Sequence, residues 1–222
     1  MSHPAQAAGD TVSRDEPVVF VLDDDPVLRA ALTDLLNSVQ LQVRAFGSAQ
    51  DLLQSDFPAG PSCLVLDVRL PGLSGLDLQA ELTKINNAIP IIFISGHGNV
   101  PMSVRAMKAG AVDFLTKPFR EDELLDAVAA ALERDRKRRA DTKAMLELQE
   151  LFNSLTGRER EVMGFVTGGL LNKQIAHQLG LSEITVKLHR GSVMRKMQAR
   201  SFADLVRMAE LLGVRVTMAP SP

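Results

Sequence analysis

Short apolar runs alternate with helical patterns through residues 16–135. Each run has the length of a buried strand, and apolar residues recur at helical spacing in the segments between the runs. The predicted strands lie at 18–22, 42–45, 63–66, 89–94 and 112–115. The predicted helices lie at about 27–38, 49–55, 75–85, 101–109 and 120–135. Strands that alternate in this way with helices predict an α/β domain with a five-stranded, parallel, doubly wound sheet.

The last third of the chain has only helical patterns. The segments "LTGREREVMGFVTGG", "LNKQIAHQLG", "LSEITVKLHRGSVMRKM" and "SFADLVRMAELLG" each predict a helix. Short hydroxyl side chains favour the N-cap position, so Thr156 or Ser154 caps the first of these helices and Ser182 caps the third. Two short helices joined by a tight turn at Gly180 predict a helix-turn-helix. The residues predicted to pack between its helices are Ile175, Ala176, Leu179, Leu181, Ile184 and Val186.

A charged segment, "ERDRKRRADTK", separates the two patterns. It predicts a solvated helix face or a linker, and both a rigid helix and a flexible hinge remain open. Beyond it, Met145, Leu148, Phe152 and Leu155 return to helical spacing, which predicts that they dock this segment onto the helical domain.

The net charge of −2 conceals a difference between the two halves. Residues 1–132 contain 9 Lys and Arg against 17 Asp and Glu, a net charge of −8. Residues 133–222 contain 16 against 10, a net charge of +6. This asymmetry favours two domains with different partners, and the basic half favours nucleic acid.

The composition also indicates the cellular compartment in which the protein functions. The chain has no apolar run of about 18 residues, the length that predicts a membrane span, and residues 1–15 lack the apolar segment of a secretory signal. A single cysteine, Cys63, excludes an internal disulfide and is typical of a reducing compartment. We therefore expect a cytoplasmic protein without a membrane partner, with a disordered tail at 1–15 and a second tail at 214–222.

Polar side chains follow several predicted strands at the point where each strand ends. Asp23 and Asp24 follow the first, Asp67 the third, Ser95 the fourth and Lys117 the fifth. Ligand sites of such sheets lie at the carboxyl ends of the strands, so these side chains are expected to meet. Asp25 is the exception, because it precedes Pro26 and is expected to cap a helix. Paired carboxylates favour a magnesium site.

Taken together, these motifs resemble the two-domain response regulators of the FixJ/NarL type, the FixJ branch most of all. The resemblance covers about residues 17–213 and rests on ordered motifs: "DDD", "LDVRLPGLSG", "ISGHG", "KAGAVDFLTKPF", "LTGREREV", "NKQIA" and "LSEITVKLHR". It implies a CheY-like (flavodoxin-like) receiver domain at 16–135, a helical linker at 136–153 and a small all-α LuxR-type helix-turn-helix domain at 154–213.

The resemblance assigns roles to the polar residues of the receiver. Asp67 matches the phosphoryl acceptor. Mg²⁺ (or Mn²⁺) would be held by Asp23, Asp24, Asp67 and the backbone carbonyl of Arg69. Ser95, Lys117 and Phe114 match the residues that bind the phosphoryl group and switch the surface, with a cis bond after Lys117. The side chains of Arg69 and His97 are expected to set the lifetime of the phosphoryl group.

The resemblance also implies the partners. A sensor histidine kinase would phosphorylate the receiver, which would then dimerise through 100–108, 114–116 and the start of the next helix. The dimer would bind promoter double-stranded DNA and RNA polymerase and regulate transcription. Such a protein is not an enzyme, although it dephosphorylates itself slowly. The residues expected at the DNA are Ser182, Thr185, Lys187, Leu188, His189, Arg190, Gly191, Arg195 and Lys196, with Lys187 and Leu188 placed for the bases.

Three other functions fit the sequence less well. A haloacid-dehalogenase-like phosphatase needs a second acid two residues after its aspartate, and Arg69 occupies that position. A dinucleotide-binding domain needs a glycine-rich turn after the first strand, where "DDDPVLR" stands. A pseudo-receiver with constitutive DNA binding would not need the complete set of polar residues.

Overall fold

A computed structural model of the protein describes residues 16–96 and 100–214. The chain divides into two compact units, one ending at Arg139 and the other beginning at Ala140. The first unit contains a five-stranded parallel sheet in the order β2-β1-β3-β4-β5. The strands are β1 Val18–Leu22, β2 Gln42–Phe46, β3 Ser62–Asp67, β4 Ile91–Ser95 and β5 Asp113–Thr116. The predicted doubly wound α/β fold is confirmed.

Strand ends differ from the predictions by one or two residues, and one difference has a clear cause. The predicted fourth strand begins at residue 89, but β4 begins after Pro90. Pro90 has no N–H to donate to the ladder, although its carbonyl still accepts a 2.9 Å hydrogen bond from the Leu64 N–H. At the other end, Asp67 and Ser95 belong to their strands rather than to the loops. Both side chains are thus held at a fixed edge of the sheet.

Helices cover both faces of this sheet. The helices of the first unit are α1 Pro26–Ser38, α2 Ala49–Gln54, α3 Gly75–Lys84, α4 Val100–Lys108 and the first part of α5 Glu121–Asn153. Asp25 caps α1 as predicted, since its carboxylate accepts hydrogen bonds from the N–H groups of Val27 and Leu28. Alternating strand residues form two apolar cores: Phe20, Leu64 and Phe93 lie on one face of the sheet, and Val19, Val65 and Ile92 on the other.

The charged segment after residue 132 is helical throughout, because α5 continues to Asn153. It is not wholly solvated. Asp135 is fully buried and accepts a 2.9 Å hydrogen bond from the N–H of Ser62 at the start of β3. Arg138 and Arg139 form ion pairs with the same carboxylate. The prediction of a solvated segment is therefore wrong at Asp135, which fastens α5 to the sheet.

The second unit is helical, as predicted. Besides the end of α5 it contains α6 Gly157–Thr167, α7 Asn172–Leu179, α8 Glu183–Lys196 and α9 Phe202–Leu211. Thr156 caps α6 in a capping box with Glu159, and Ser182 caps α8. Gly180, with φ of 65°, ends α7 in the left-handed conformation that glycine adopts without strain.

Two apolar clusters stabilise this unit. One contains five of the residues predicted to separate α7 from α8: Ile175, Ala176, Leu179, Leu181 and Val186. The sixth prediction is wrong, because Ile184 is 75% exposed. The other cluster contains Leu148, Phe152 and Leu155 as predicted. Met145 lies outside it and is 40% exposed.

A buried ion pair joins α6 to α8. Glu159 is 5% exposed, and its carboxylate lies 2.7 Å from Lys196 Nζ and accepts a 2.7 Å hydrogen bond from the Ser192 hydroxyl. The hydrogen bond from Lys196 lowers the pKa of Glu159 to about 2; burial opposes this shift, and hydrogen bonds from Thr156 and Ser192 add to it.

Across residues 16–96 and 100–214, no helix is long and apolar enough to cross a membrane.

We predict that Glu159 stabilises the second unit in a pH-dependent way. Its folded pKa of about 2 lies below the ordinary 4.5, so the stabilisation is complete above about pH 4.5 and is lost as the pH falls towards 2. Glu159→Gln should lower the free energy of unfolding by about 2 kcal/mol at neutral pH. Denaturant unfolding of both proteins should show this difference shrinking across that acidic range.

Glu161→Gln is the matched control. Glu161 lies on the same helix but is exposed, and its ion pair with Arg158 is on the surface. That variant should lose little stability at any pH, because exposed pairs contribute little. A difference between wild type and Glu159→Gln that stays constant from neutral to acidic pH would contradict the prediction.

Candidate functional site

Three carboxylates meet at the carboxyl-terminal edge of the sheet. Asp23 follows β1 and is fully buried, Asp67 ends β3 and is 7% exposed, and Asp24 is exposed. One ligand oxygen from each of these three residues, here named the acid cluster, lies within 4.8 Å of the other two. Like charges at this spacing repel one another, and carboxylate oxygens are the ligands that hard divalent cations prefer. The acid cluster is therefore compatible with a divalent metal ion.

Lys117 supplies positive charge to the acid cluster. Its Nζ lies 2.8 Å from Asp23 Oδ2 and 2.9 Å from Asp67 Oδ2. Burial acts to lower the pKa of this ammonium, but the hydrogen bonds and charges of the two carboxylates outweigh burial and raise the pKa above its ordinary value. Lys117 therefore remains protonated at neutral pH and holds the carboxylates of β1 and β3 together.

The residues predicted around Asp67 lie at the same edge. Both oxygens of Asp67 are engaged, because Oδ1 accepts a 3.1 Å hydrogen bond from the N–H of Arg69. Ser95 is fully buried at the end of β4, and its carbonyl accepts a 2.8 Å hydrogen bond from the N–H of Lys117. The peptide bond between Lys117 and Pro118 is cis, as the resemblance implied.

Of three other predicted residues, two differ in their burial and the third lies outside the described residues. Phe114 on β5 is half-buried, with its ring centroid 6.3 Å from that of Phe93. The side chain of Arg69 is exposed. His97 lies outside the described residues.

Arg29 is a contact that the sequence analysis missed. Its Nη1 donates a 2.7 Å hydrogen bond to the main-chain carbonyl of Asp23, while Asp23 Oδ1 accepts a 2.9 Å bond from the N–H of Asp25. These bonds fix the backbone of the loop that carries Asp23 and Asp24. The signal in the sequence was the position of Arg29 one helical turn beyond the N-cap Asp25, on the side that returns to the strand end.

Gly75, the first residue of α3, was also missed. A Cβ at this position would lie 2.5 Å from the carbonyl oxygen of Asp67, closer than any real contact permits. The Gly75 N–H donates a 2.9 Å hydrogen bond to the carbonyl of Val68. The absent side chain thus allows α3 to begin directly against the end of β3, so the position of Asp67 depends on it.

In the second unit, α8 presents a mixed surface to solvent. Lys187, Leu188, Gly191 and Arg195 are exposed, with Leu188 at 70%. Ser182 Oγ accepts a 3.1 Å hydrogen bond from the N–H of Thr185 and so serves the helix start. A capped helix with exposed cations and apolar side chains can enter a major groove.

Two residues predicted at the DNA are engaged within the unit. Arg190 Nη1 donates a 2.6 Å hydrogen bond to Asn172 Oδ1, and its guanidinium lies 5.8 Å from the ring centroid of Phe202. Lys196 is the partner of Glu159. His189 is half-buried. A contact between DNA and any of these three side chains stays a prediction, and the structure places Ile184 on the exposed face of α8 instead.

Fold and site together define a class of protein: a receiver-like α/β unit with an acid cluster, followed by a helix-turn-helix unit. Comparison with known families agrees. Residues 19–129 match the response regulator receiver domain, and residues 153–209 match the bacterial regulatory proteins of the luxR family.

Several relatives match this chain over most of its length and most of their own. The chain is 61% identical over 206 residues to nodulation protein W of Bradyrhizobium diazoefficiens, covering 93% of this chain and 91% of that protein. It is 43% identical over 196 residues to the transcriptional regulatory protein FixJ of Azorhizobium caulinodans, covering 88% and 93%. The solved structure of the response regulator StyR superposes with a TM-score of 0.79 at 49% identity, covering 88% and 98%.

The chain therefore belongs to the two-component response regulators that combine a receiver domain with a LuxR-type DNA-binding domain, the FixJ-like regulators. Members of this class regulate transcription and are not enzymes. The receiver domain implies a histidine kinase as one partner, and the LuxR-type domain implies DNA as another.

We predict that Gly75→Ala displaces Asp67. The added methyl group would overlap the Asp67 carbonyl, so α3 or the end of β3 must shift, at a cost of about 1–3 kcal/mol in the free energy of unfolding. Thermal unfolding should reveal the lost stability, and labelling by acetyl phosphate should be slower than in the wild type.

Gly157→Ala is the matched control, because Gly157 is the first residue of α6 and a Cβ there would meet no atom within 4 Å. It should leave both measurements unchanged. Equal stability and equal labelling of wild type and Gly75→Ala would contradict the prediction, because the close approach of Gly75 to Asp67 would then affect neither folding nor phosphorylation.

Proposed function

We propose that the protein accepts a phosphoryl group on Asp67 from a sensor histidine kinase, then dimerises through its receiver and binds promoter DNA. The observation that carries the proposal is the ion pair network of the acid cluster, in which Lys117 contacts Asp23 and Asp67 within 2.9 Å beside the buried Ser95. A carboxylate that attacks a phosphoryl group approaches another anion, so the transfer needs fixed positive charge at this point.

Mg²⁺ (or Mn²⁺) would be held by Asp23, Asp24, Asp67 and the main-chain carbonyl of Arg69. When bound, it supplies positive charge that offsets the charge on the transferring phosphoryl group. Asp67 forms the new bond through a carboxylate oxygen while the bond between phosphorus and the histidine nitrogen of the kinase breaks. Lys117, already protonated, pairs with a phosphoryl oxygen, and the N–H of Arg69 keeps Asp67 oriented.

The phosphoryl group then alters the receiver surface. In this proposal the Ser95 hydroxyl donates a hydrogen bond to it, and Phe114 on the neighbouring strand follows by changing its burial. Phenylalanine has no hydroxyl, so burial is the only change that Phe114 can report. The side chains of Arg69 and His97 would control the approach of water and hence the lifetime of the phosphoryl group.

The surface proposed for dimerisation includes α4. Val100, Val104 and Met107 lie at helical spacing and are 75%, 45% and 44% exposed. Apolar side chains on one face of an exposed helix are typical of interaction surfaces. Pairing two receivers there raises the affinity of the paired DNA-binding units through effective concentration.

DNA recognition is assigned to the exposed face of α8. Lys187 can donate to guanine O6 and N7, whereas Leu188, and Ile184 beside it on the helix, can contact thymine methyl groups. Thr185, His189, Arg190, Arg195 and Lys196 are proposed to contact phosphates, with Arg190 and Lys196 the least free because of their partners within the unit. Gly191 has open space around it, so the backbone can approach the groove. We also propose that the protein contacts RNA polymerase and that it functions in the cytoplasm.

We predict that Asp67→Asn prevents phosphorylation. Acetyl phosphate with Mg²⁺ should add one phosphoryl group to the wild type and none to the variant, because the amide is a poor nucleophile. Intact mass spectrometry is the measurement, and equal labelling of the two proteins would contradict the assignment. Asp77→Asn is the control, because this exposed acid lies in the first turn of α3 and its carboxylate accepts a hydrogen bond from the Ser74 hydroxyl.

The same preparations separate phosphorylation from dimerisation. Val104→Lys should be labelled like the wild type but remain monomeric in sedimentation with beryllofluoride and Mg²⁺, because a charge interrupts the apolar face of α4. Ile85→Lys is the matched control, since Ile85 is 59% exposed at the end of α3, outside the proposed surface. Monomeric wild-type protein under these conditions would contradict dimerisation and leave Asp67 labelling intact.

We predict that Lys187 contacts a base. Against the best sequence selected from random DNA, Lys187→Ala should lose about 1–3 kcal/mol of binding free energy and relax the preference at one base pair. Lys173→Ala, which removes an exposed cation from α7, should weaken all sequences alike and reduce the salt slope by about one. Titrations at several salt concentrations distinguish the two, and uniform weakening by Lys187→Ala would refute a base contact.

A further inference from the structure

A polar cavity lies at the edge of the receiver sheet opposite the acid cluster. Its volume is about 390 Å³, and it is lined by the ends of α3 and α4, the start of β4 and one side of α5. The lining includes Gln79, Pro90, Ala109, Gly110, Arg134 and Arg138. Because Ile91 begins β4 here and Ser95 ends it beside the acid cluster, the cavity and the acid cluster occupy opposite ends of the same strand.

The charge of this cavity is positive. Arg134 and Arg138 line it, and no Asp or Glu does. Arg134 is exposed and takes part in no ion pair within 16–96 and 100–214. Arg138 is paired with the buried Asp135 at 2.6 Å, and its side chain is 40% exposed. Guanidinium groups pair well with carboxylates and phosphates, and two of them lie four residues apart on α5 at this cavity.

Gln79 adds an unmet hydrogen-bond acceptor to the same wall. The residue is 6% exposed, and its Nε2 donates a 3.1 Å hydrogen bond to the carbonyl of Ala109. This bond fixes which end of the amide is the oxygen. Of the buried side-chain nitrogen and oxygen atoms in the described residues, Gln79 Oε1 alone has no hydrogen-bond partner. A buried acceptor without a donor is destabilising, so a donor that reached this oxygen would be stabilised there.

We propose that this cavity binds a small organic anion that carries a hydroxyl group. The carboxylate or phosphate pairs with Arg134 and Arg138, and the hydroxyl donates to Gln79 Oε1 after a small rotation of the amide. A hydroxyl fits better than an ammonium group, because no carboxylate lines the cavity to neutralise a second positive charge. The volume is in the range of ordinary small-molecule sites.

This site is independent of phosphorylation on Asp67. It shares no residue with the acid cluster, and its chemistry requires neither a metal ion nor a covalent step. The variant Asp67→Asn should therefore bind the anion as well as the wild type does. The proposed regulatory function and the anion site can thus fail separately.

The test uses the full chain and a panel of hydroxy acids, each with its counterpart that lacks the hydroxyl: lactate with propionate, malate with succinate, and citrate with tricarballylate. Binding is measured by isothermal titration and by ¹H–¹⁵N NMR. At least one hydroxy acid should bind, about fivefold more tightly than its counterpart, and should shift the Gln79 side-chain amide and the backbone signals of Ala109 and Gly110.

Variants assign the contacts. Arg134→Ala should weaken binding of that acid about tenfold, whereas Lys137→Ala, an equal charge change on the exposed side of α5, should not. Gln79→Met should remove the difference between the hydroxy acid and its counterpart. No binding by any member of the panel would overturn the proposal. Equal weakening by Arg134→Ala and Lys137→Ala would also overturn it, since general charge attraction would then suffice.

Discussion

The receiver depends on keeping three like charges in one place. Asp23, Asp24 and Asp67 bring ligand oxygens within 4.8 Å of one another, and the Lys117 ammonium lies between two of the carboxylates. Without that charge the ends of β1 and β3 would repel each other. The surrounding structure serves this arrangement. Arg29 holds the backbone of Asp23, Gly75 lets α3 begin against Asp67, and the hydrogen bond from Lys117 to the Ser95 carbonyl joins β4 to the segment after β5.

The sheet and the acid cluster were predictable, because the sheet follows from the periodicity of apolar residues and the acid cluster from the edge at which parallel strands end. Apolar runs alternate with helical patterns, parallel strands end at one edge, and the polar residues Asp23, Asp67, Ser95 and Lys117 all come at strand ends. The caps Asp25 and Ser182 were predictable for a similar reason, since capping depends on neighbours in the sequence. The family resemblance added the roles of these residues, which spacing alone does not determine.

The missed features depend on contacts between residues far apart in the chain. Asp135 lies in a highly charged run, and only its bond to the Ser62 N–H, 73 residues away, makes it a buried group. Lys196 has the sequence environment of a DNA contact but pairs with Glu159, 37 residues away. Ile184 was misassigned because aliphatic residues on opposite sides of a helix look alike in sequence, and of Ile184 and Val186 only Val186 is buried. No local pattern distinguishes these cases.

The contacts that hold α5 against the sheet determine where receivers of this kind can be joined to other output domains. Nothing in the pattern of α5 marks the end of the receiver. Contacts with the start of β3 do mark it, because Asp135 accepts a hydrogen bond from the Ser62 N–H. Arg139 donates hydrogen bonds to the Asp135 carboxylate and to the carbonyl of Ala59. A chimaera joined at residue 132, where the apolar pattern ends, would leave the Ser62 N–H buried and unpaired. A junction after Arg139 would carry the whole network with it. The junction of an engineered chimaera should therefore lie within the helix, about two turns beyond Leu132, the last core residue of the receiver.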